Sequence, residues 1–231
     1  MAQFINSFGE ILKEISAFVW GWPMIIMLLG THVFLTVRLK CPQRKIFTAI
    51  KLSLSKDKQS NAQGDVSPFA ALATALAATI GTGNIVGVAT AVQLGGPGAV
   101  LWCWLTGIFG MSTKYGEALL AVKYRVKTAD GKMLGGPMYA LEKGLNMKWL
   151  GVVFAVFTAI AAFGIGNTVQ ANAISENIAE MFGTQNQQMV KYVVGAVLAI
   201  LVATVIIGGV KRISKWCTTL VPFTAIFYII G

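Results

Sequence analysis

The sequence predicts an all-α integral membrane protein. Of its 231 residues, 55% are hydrophobic and only 12% are charged, and the mean hydropathy is +0.68. A soluble domain carries about 25% charged residues. The apolar residues also form long runs, and no formally charged residue occurs between positions 66 and 113. The low charge and these runs together favour a bundle of membrane-spanning helices.

The first apolar run covers residues 18–37 and contains no charged side chain. A helix of that length rises about 30 Å, which matches the hydrocarbon core of a bilayer. The residues before it do not form the basic segment that begins a signal peptide. We therefore expect residues 1–37 to form an external N-terminus and a peripheral transmembrane helix, followed by a basic cytoplasmic connection at 38–65.

Five further spans are predicted, at about residues 66–94, 99–122, 149–175, 192–210 and 216–231. The turn Gly95-Gly96-Pro97-Gly98 separates the first two, because glycine and proline both disfavour helix. The last stretch would rise only about 24 Å, which is short for a crossing. We therefore expect the region 66–231 to be incomplete at its C-terminus, and the chain to be the N-terminal portion of a longer protein.

The basic residues lie mostly in three connections between these spans. Residues 38–65, 114–148 and 211–215 contain 17 of the 19 lysines and arginines. With alternating spans, all three connections fall on one side of the membrane, and excess positive charge marks the cytoplasmic side. The N-terminus is therefore expected outside. Topology also accounts for the net charge of +10, so no nucleic-acid partner is expected.

The second span contains the stretch ATIGTGNIVG at residues 78–87, in which three glycines interrupt an otherwise helical sequence. Each glycine costs about 1 kcal/mol relative to alanine in a helix. One explanation is a packing face, because Gly83 and Gly87 form a small-xxx-small pair. A dinucleotide-binding loop is disfavoured, because the spacing is G-x-G-x-x-x-G and no acidic residue follows about 20 positions later. In the third explanation, the helix is broken to form a binding site.

A broken transmembrane helix offers two kinds of binding group within one turn. Its freed N–H groups attract an anion, and its freed C=O groups attract a cation. The polar side chains of Thr79, Thr82 and Asn84 support this explanation, since helix packing does not require them. An amino acid carries both charges and a sodium ion is held by several oxygens, so both ligands fit the motif.

Three stretches resemble the alanine or glycine:cation symporters, and the resemblance runs over nearly the whole chain. They are TIGTGNIVGVATAVQLGGPGAVLWCWLTGIFGMSTKYGEALLAVKYR (79–125), GGPMYALEKGL (135–145) and FGIGNTVQANAI (163–174). The resemblance implies sodium-coupled uptake of alanine or glycine across a lipid bilayer, with sodium as the coupling ion and no cofactor. It also implies the five-plus-five inverted-repeat fold of the bacterial leucine transporter. This chain would hold one peripheral helix and most of the first repeat, in the plasma membrane, which in a bacterium is the inner membrane.

The resemblance also implies roles for the broken helix, since Gly81-Thr82-Gly83-Asn84 matches the G-x-G-N of the leucine-transporter type. The N–H groups of Thr82 and Gly83 are expected to face the substrate carboxylate. The carbonyl groups of Ala77, Thr79 and Ile80, with the Asn84 side chain, are expected to hold sodium. The predicted substrate site comprises Thr79, Gly81, Thr82, Gly83, Asn84, Asn167 and Gln170.

Asn167 and Gln170 are three residues apart in an otherwise apolar span, so regular helical spacing puts them on one face. They either hydrogen-bond a neighbouring helix or line the substrate cavity opposite the break. The cavity is favoured for Gln170, because an amide can both donate and accept. Asn172 is expected on another face near the outer surface, and Gly164 and Gly166 are expected to permit close helix approach.

Lys114 and Glu117 are predicted to pair, either at the membrane interface or as a cytoplasmic gate contact. His32, the one histidine, is expected to pack in the peripheral span rather than to couple protons. The sequence contains no hydrolytic or redox constellation, so an enzyme is not expected. The alternatives to a symporter are a channel, which needs an open pore, and a structural membrane subunit.

Overall fold

The computed structural model describes residues 2–54, 64–183 and 186–230. This part of the chain is almost entirely helical, as predicted, apart from two short strands. Lys56 and Lys58 of the predicted basic connection lie outside the described residues. The elements are α1 (Ala2–Val19), α2 (Trp22–Arg38), α3 (Ile46–Leu54), α4 (Pro68–Thr79), α5 (Val88–Gly95), α6 (Gly98–Lys123), β1 (Val126–Lys127), β2 (Met133–Leu134), α7 (Pro137–Gly144), α8 (Lys148–Ala161), α9 (Val169–Phe182), α10 (Gln187–Ile206) and α11 (Gly209–Ile230).

The first predicted span, 18–37, lies mostly in α2, and the structure adds a helix before it, because α1 ends at Val19 and α2 begins at Trp22. Pro23 occupies the first turn of α2, where its missing N–H has no cost. A side chain at Gly21 would lie 3.2 Å from the carbonyl oxygens of Ala17 and Phe18. The glycine therefore allows the chain to leave α1 and enter α2 within a few residues.

Polar side chains join α2 to α6, against which it packs. The hydroxyl oxygens of Thr36 and Ser112 are 2.8 Å apart, and Gln43 Nε2 donates to Ser112 Oγ at 2.8 Å. His32 Nδ1 lies 2.7 Å from the hydroxyl oxygen of Thr113. Thr36 and Ser112 are buried, so these bonds satisfy groups that are costly to leave unpaired in an apolar interface. His32 thus packs between two helices, in agreement with the interpretation of the sequence.

The helix that carries the glycine motif begins with a regular N-terminal cap. Ser67 Oγ accepts a hydrogen bond from the Ala70 N–H at 3.2 Å, and Pro68 occupies the first turn. α4 then packs against α11. The first half of the broken helix, α4, is therefore held at its start by a cap and by its packing against α11.

α11 begins earlier than the predicted sixth span. Gly209, with φ of +66°, separates it from α10. Lys211, Arg212 and Lys215 lie within the first turns of α11 and not in a link before it. The connection between α10 and α11 is therefore shorter than predicted, because the three basic residues belong to the helix.

A small hairpin and a short helix follow α6. β1 and β2 pair antiparallel, with Val126 opposite Leu134. The predicted amphipathic helix in 135–145 is α7, which starts after Gly136 with φ of +139°. Near the end of α6, Lys114 Nζ lies 3.0 Å from Glu117 Oε2, so the predicted ion pair is present.

Four helical stretches in the described residues are long and apolar enough to cross a membrane: Asn6–Arg38, Lys148–Phe182, Gln187–Ile206 and Gly209–Ile230. The bent pair Pro68–Thr79 and Gly83–Gly95 makes a fifth if its halves form one span. α6 covers the predicted span 99–122 with 26 residues, but it is not among the described helices that are apolar enough to cross by this criterion. The structure therefore describes a multi-pass helical membrane protein.

Replacing Gly151 by alanine is expected to lower the thermal stability of the detergent-solubilised protein. The added Cβ would lie 2.8 Å from the Met138 carbonyl oxygen, where α8 packs against α7. Backbone on that side cannot yield easily, and such overpacking costs about 1–3 kcal/mol. The measurement is the midpoint of thermal unfolding.

Gly107→Ala is the matched control, because a Cβ at Gly107 in α6 meets nothing within 4 Å. Alanine is a better helix former than glycine. The Gly107→Ala midpoint is expected to equal or exceed that of the parent. Equal midpoints for both variants would contradict the close packing of α7 on α8.

Candidate binding site at the break between two half-helices

The predicted break in the second span is present in the structure. α4 ends at Thr79, and Ile80 is extended, with φ of −80° and ψ of 107°. A turn of π-helix, Gly83–Gly87, then leads into α5. The two halves are bent by 55° relative to each other. Such turns remove regular backbone bonds and occur often at functional sites.

Helix packing does not explain the glycines of the motif within the described residues. A Cβ built on Gly83 or Gly87 meets nothing within 4 Å. A Cβ on Gly81 would lie 3.2 Å from Nε2 of Gln170 in α9. Gly81 therefore leaves room for one polar side chain from another helix, whereas Gly83 and Gly87 leave their backbone open.

The carbonyl side of the break contains the residues predicted to hold sodium. Asn84 Nδ2 donates to the Thr79 carbonyl oxygen at 2.9 Å, and the Asn84 N–H donates to the Gly81 carbonyl oxygen at 3.0 Å. Ala77 lies two residues before Thr79, and Ile80 follows it directly. The structure thus brings Asn84 and Thr79 together, with the Thr79 oxygen occupied by a hydrogen-bond donor.

The N–H side of the break faces Gln170, which lies in the first turn of α9. The Thr82 N–H donates to Gln170 Oε1 at 3.4 Å. The family resemblance assigns the Thr82 N–H to the substrate carboxylate, and in the structure an amide oxygen, Gln170 Oε1, takes that position. Gln170 therefore lies opposite the break, at Gly81 and Thr82.

A second irregular turn, Ala162–Thr168, joins α8 to α9 and repeats the first one. Its sequence, Gly164-Ile165-Gly166-Asn167, has the same G-x-G-N spacing. Asn167 Nδ2 donates to the Ala162 carbonyl oxygen, five residues earlier, at 3.2 Å, as Asn84 does to Thr79. The structure therefore engages Asn167 with its own helix and does not give it a contact at the first break.

One expectation about this stretch differs from the structure. A Cβ on Gly164 or Gly166 meets nothing within 4 Å of the described residues, so neither glycine marks a close helix approach there. Both glycines lie in the π-helical turn, so they accompany irregular winding and not a helix contact. Asn172 lies on another face than Gln170, as expected: Asn172 lines the cavity beside the break, whereas Gln170 contacts Gly81 and Thr82 and is not part of that lining.

A cavity of about 770 Å³ opens beside the N–H side of the break and is called the break cavity here. Thr82, Gly83 and Gly87 line it from the motif, and residues of α9 line the opposite side. Thr168, Asn172 and Glu176 contribute polar groups from the α9 side; their four-residue spacing in an apolar span is the sequence signal that would have identified them. The remaining lining residues are Val86, Val169, Ala171, Ala173, Ser175 and Gly195.

The second cavity, of about 530 Å³, lies between α6, α7 and α8. Its lining is mostly apolar and includes Leu120, Leu141 and Phe154. It lies away from the break between α4 and α5, since none of the residues of the motif line it. The break cavity is therefore the better candidate for a small polar ligand.

A bundle of apolar helices with a helix broken beside a polar-edged cavity is typical of helical membrane transporters, in which such breaks form binding sites. Comparison with known proteins identifies the family. The model of the sodium:alanine symporter family matches residues 5–231. The chain belongs to this family, whose members are transporters and not enzymes.

Three relatives illustrate the similarity. The chain is 52% identical over 229 residues to the sodium/alanine symporter AgcS of Methanococcus maripaludis. This alignment covers 97% of this chain and 49% of AgcS. It is 51% identical over 222 residues to an uncharacterized transporter of Haemophilus influenzae, covering 95% and 47%. It is 37% identical over 211 residues to the probable sodium/glutamine symporter GlnT of Bacillus subtilis, covering 91% and 43%.

The chain therefore spans about half the length of the curated relatives that it matches. No solved structure gives a significant match.

Proposed function

We propose that the complete protein is a secondary active transporter that couples sodium entry to uptake of a small neutral amino acid, alanine or glycine. The observation that supports this best is the pairing at the break. An amide oxygen, Gln170 Oε1, lies 3.4 Å from the Thr82 nitrogen, and an amide donor, Asn84 Nδ2, lies 2.9 Å from the Thr79 carbonyl oxygen. The two sides of one break thus attract opposite partners.

In the proposed mechanism, these two side chains occupy the ligand positions while the site is empty. The substrate carboxylate replaces Gln170 Oε1 at the N–H groups of Thr82 and Gly83, where the start of the second half-helix favours negative charge. Sodium takes the Thr79 oxygen, with the neighbouring carbonyls of Ala77 and Ile80, and Asn84 turns its amide oxygen toward the ion. Gln170 then contacts the substrate next to Gly81, and Asn167 remains a candidate for a further substrate contact.

Ligand binding changes the stability of the break and so shifts the populations of transporter conformations. Sodium and substrate both supply partners for backbone groups that the break leaves open, which stabilises one arrangement of the half-helices. The bound pair would then favour opening toward the cytoplasm by movement of helix groups. We further propose the leucine-transporter-like inverted-repeat fold, with the N-terminus outside and the protein in the bacterial inner membrane.

The substrate class rests on the backbone groups, which recognise the part that all amino acids share. One relative is named as a sodium/alanine symporter and another as a probable sodium/glutamine symporter. The N–H groups of Thr82 and Gly83 do not distinguish these side chains. The choice of alanine or glycine instead rests on the family that the chain belongs to and on the relative named for alanine.

Uptake of labelled alanine, glycine and glutamine into proteoliposomes containing the complete protein tests the proposal. Saturable uptake of alanine or glycine that requires an inward sodium gradient is the expected result. An equal rate of amino-acid uptake when choline replaces sodium in the gradient would refute sodium coupling. Flux that does not saturate would favour a channel, and no flux would favour a structural subunit.

A further inference from the structure

Polar groups continue from the break along one side of α9. Thr168, Asn172 and Glu176 follow one another at four-residue spacing, which places them on one helix face. All three line the break cavity, together with Thr82 and Gly83 on its other side. The cavity therefore connects the N–H side of the break to a carboxylate two turns farther along α9.

Glu176 is the charged residue among the described residues that line this cavity. The wall of the cavity is mostly apolar and includes Val86, Val169 and Ala171. A carboxylate attracts cations over a distance that is set by screening from the solvent. Glu176 thus makes the break cavity attractive to positive charge.

The partner of Glu176 comes from a different helix and does not line the cavity. Lys191 Nζ of α10 lies 3.4 Å from Glu176 Oε1, and the two side chains are 38% and 48% exposed. A pair that is this exposed is worth little in free energy, so either member can be exchanged for another ion of the same sign. Lys191 is a suitable counter-ion for a carboxylate that also binds a mobile cation.

We propose that Glu176 forms a cation-binding subsite in the break cavity, which receives a monovalent cation before it reaches the break. The cation is either sodium or the ammonium group of the amino acid, since a carboxylate binds both through the same charge. Lys191 pairs with Glu176 when the cavity is empty and swings away when the cation arrives. This inference deepens the proposed function and depends on it for the path that the ligand takes.

Transport by variants of the complete protein in proteoliposomes tests the subsite. Glu176→Gln is expected to raise the half-saturation constant for the cation that the subsite receives, either sodium or alanine, by about two- to fivefold. This is the range expected for an exposed ion pair. Lys191→Gln is expected to lower the same constant, because it frees the carboxylate. A purely structural ion pair would shift both variants in the same direction. Sodium is varied at saturating alanine and alanine at saturating sodium, so the constant that responds identifies the cation.

Glu180→Gln is the matched control, since Glu180 lies one turn farther along α9 and does not line the cavity. It removes the same charge and is expected to have a much smaller effect. A second measurement needs no transport: sodium chloride, compared with choline chloride, and alanine should each be tested for raising the thermal unfolding midpoint of the purified protein. Glu176→Gln should reduce at least one of these two shifts.

The outcomes separate this inference from the proposed function. If the parent protein shows no sodium-dependent uptake, the proposed function fails, while the thermal shifts still decide whether Glu176 binds a cation. If the parent transports but Glu176→Gln changes neither half-saturation constant nor either thermal shift, the subsite is refuted and the function stands.

Discussion

Replacing Gln170 by glutamate in the complete protein is expected to raise the KM for alanine about ten- to a hundredfold. The new carboxylate would take the place of Gln170 Oε1, which lies 3.4 Å from the Thr82 nitrogen. A hydrogen bond from a backbone N–H to a charged acceptor is worth about 1.5–3 kcal/mol, against about 0.5–1.5 kcal/mol for a neutral amide acceptor. It would therefore compete with the substrate carboxylate for the same group and also repel it. The measurement is the concentration dependence of alanine uptake at saturating sodium.

Two other variants make this result specific. Gln170→Leu keeps much of the volume but removes the polar group, so it should raise the KM by less than glutamate does. Gln93→Glu adds the same charge to an exposed position of α5 that does not line the break cavity, and its KM should stay near that of the parent. If glutamate and leucine at 170 reduce only the amount of folded protein and leave the KM unchanged, Gln170 is a structural contact between helices.

The class of protein and the position of the break were predictable because both depend on local chemistry. Long uncharged runs have few alternatives to membrane-spanning helix. Three glycines within seven residues weaken a helix wherever it packs, and the structure ends α4 at Thr79, next to them. By contrast, the division between α1 and α2 and the hairpin of β1 and β2 depend on short stretches in which hydropathy varies little. Periodicity alone does not identify them.

The candidate site was predictable only in part, because regular helical spacing does not hold across the second irregular turn. Gln170, beyond that turn, lies opposite the break, but Asn167, within it, bonds to Ala162. The sequence did contain the relevant signal, since G-x-G-N occurs at 81–84 and again at 164–167. Where the motif that opens one helix occurs again in a second helix, the second helix should be expected to wind irregularly there too. The helix faces should then be assigned separately before and after that turn.

Replacing Asn84 by alanine is expected to raise the sodium concentration needed for half-maximal alanine uptake about ten- to a hundredfold. Alanine removes the oxygen proposed as a sodium ligand and the donor that now holds the Thr79 carbonyl at 2.9 Å. Hydrogen-bond and ion contacts to charged groups are worth about 1.5–3 kcal/mol, and about 1.4 kcal/mol corresponds to tenfold. The expression level should fall by much less than the sodium affinity.

The variant Asn84→Asp separates the two roles that the Asn84 amide can have. Aspartate keeps an oxygen for the ion and loses the N–H, so sodium affinity should be retained or increased if Asn84 is a ligand. If Asn84 acts only by donating to Thr79, aspartate should be worse than alanine, because two acceptors would then face each other. Asn177→Ala is the matched control, since Asn177 Nδ2 makes a similar bond to the Ala173 carbonyl oxygen at 2.7 Å, outside the break. An unchanged sodium dependence in Asn84→Ala would remove the ion from this break and leave the carboxylate as the one ligand that it binds.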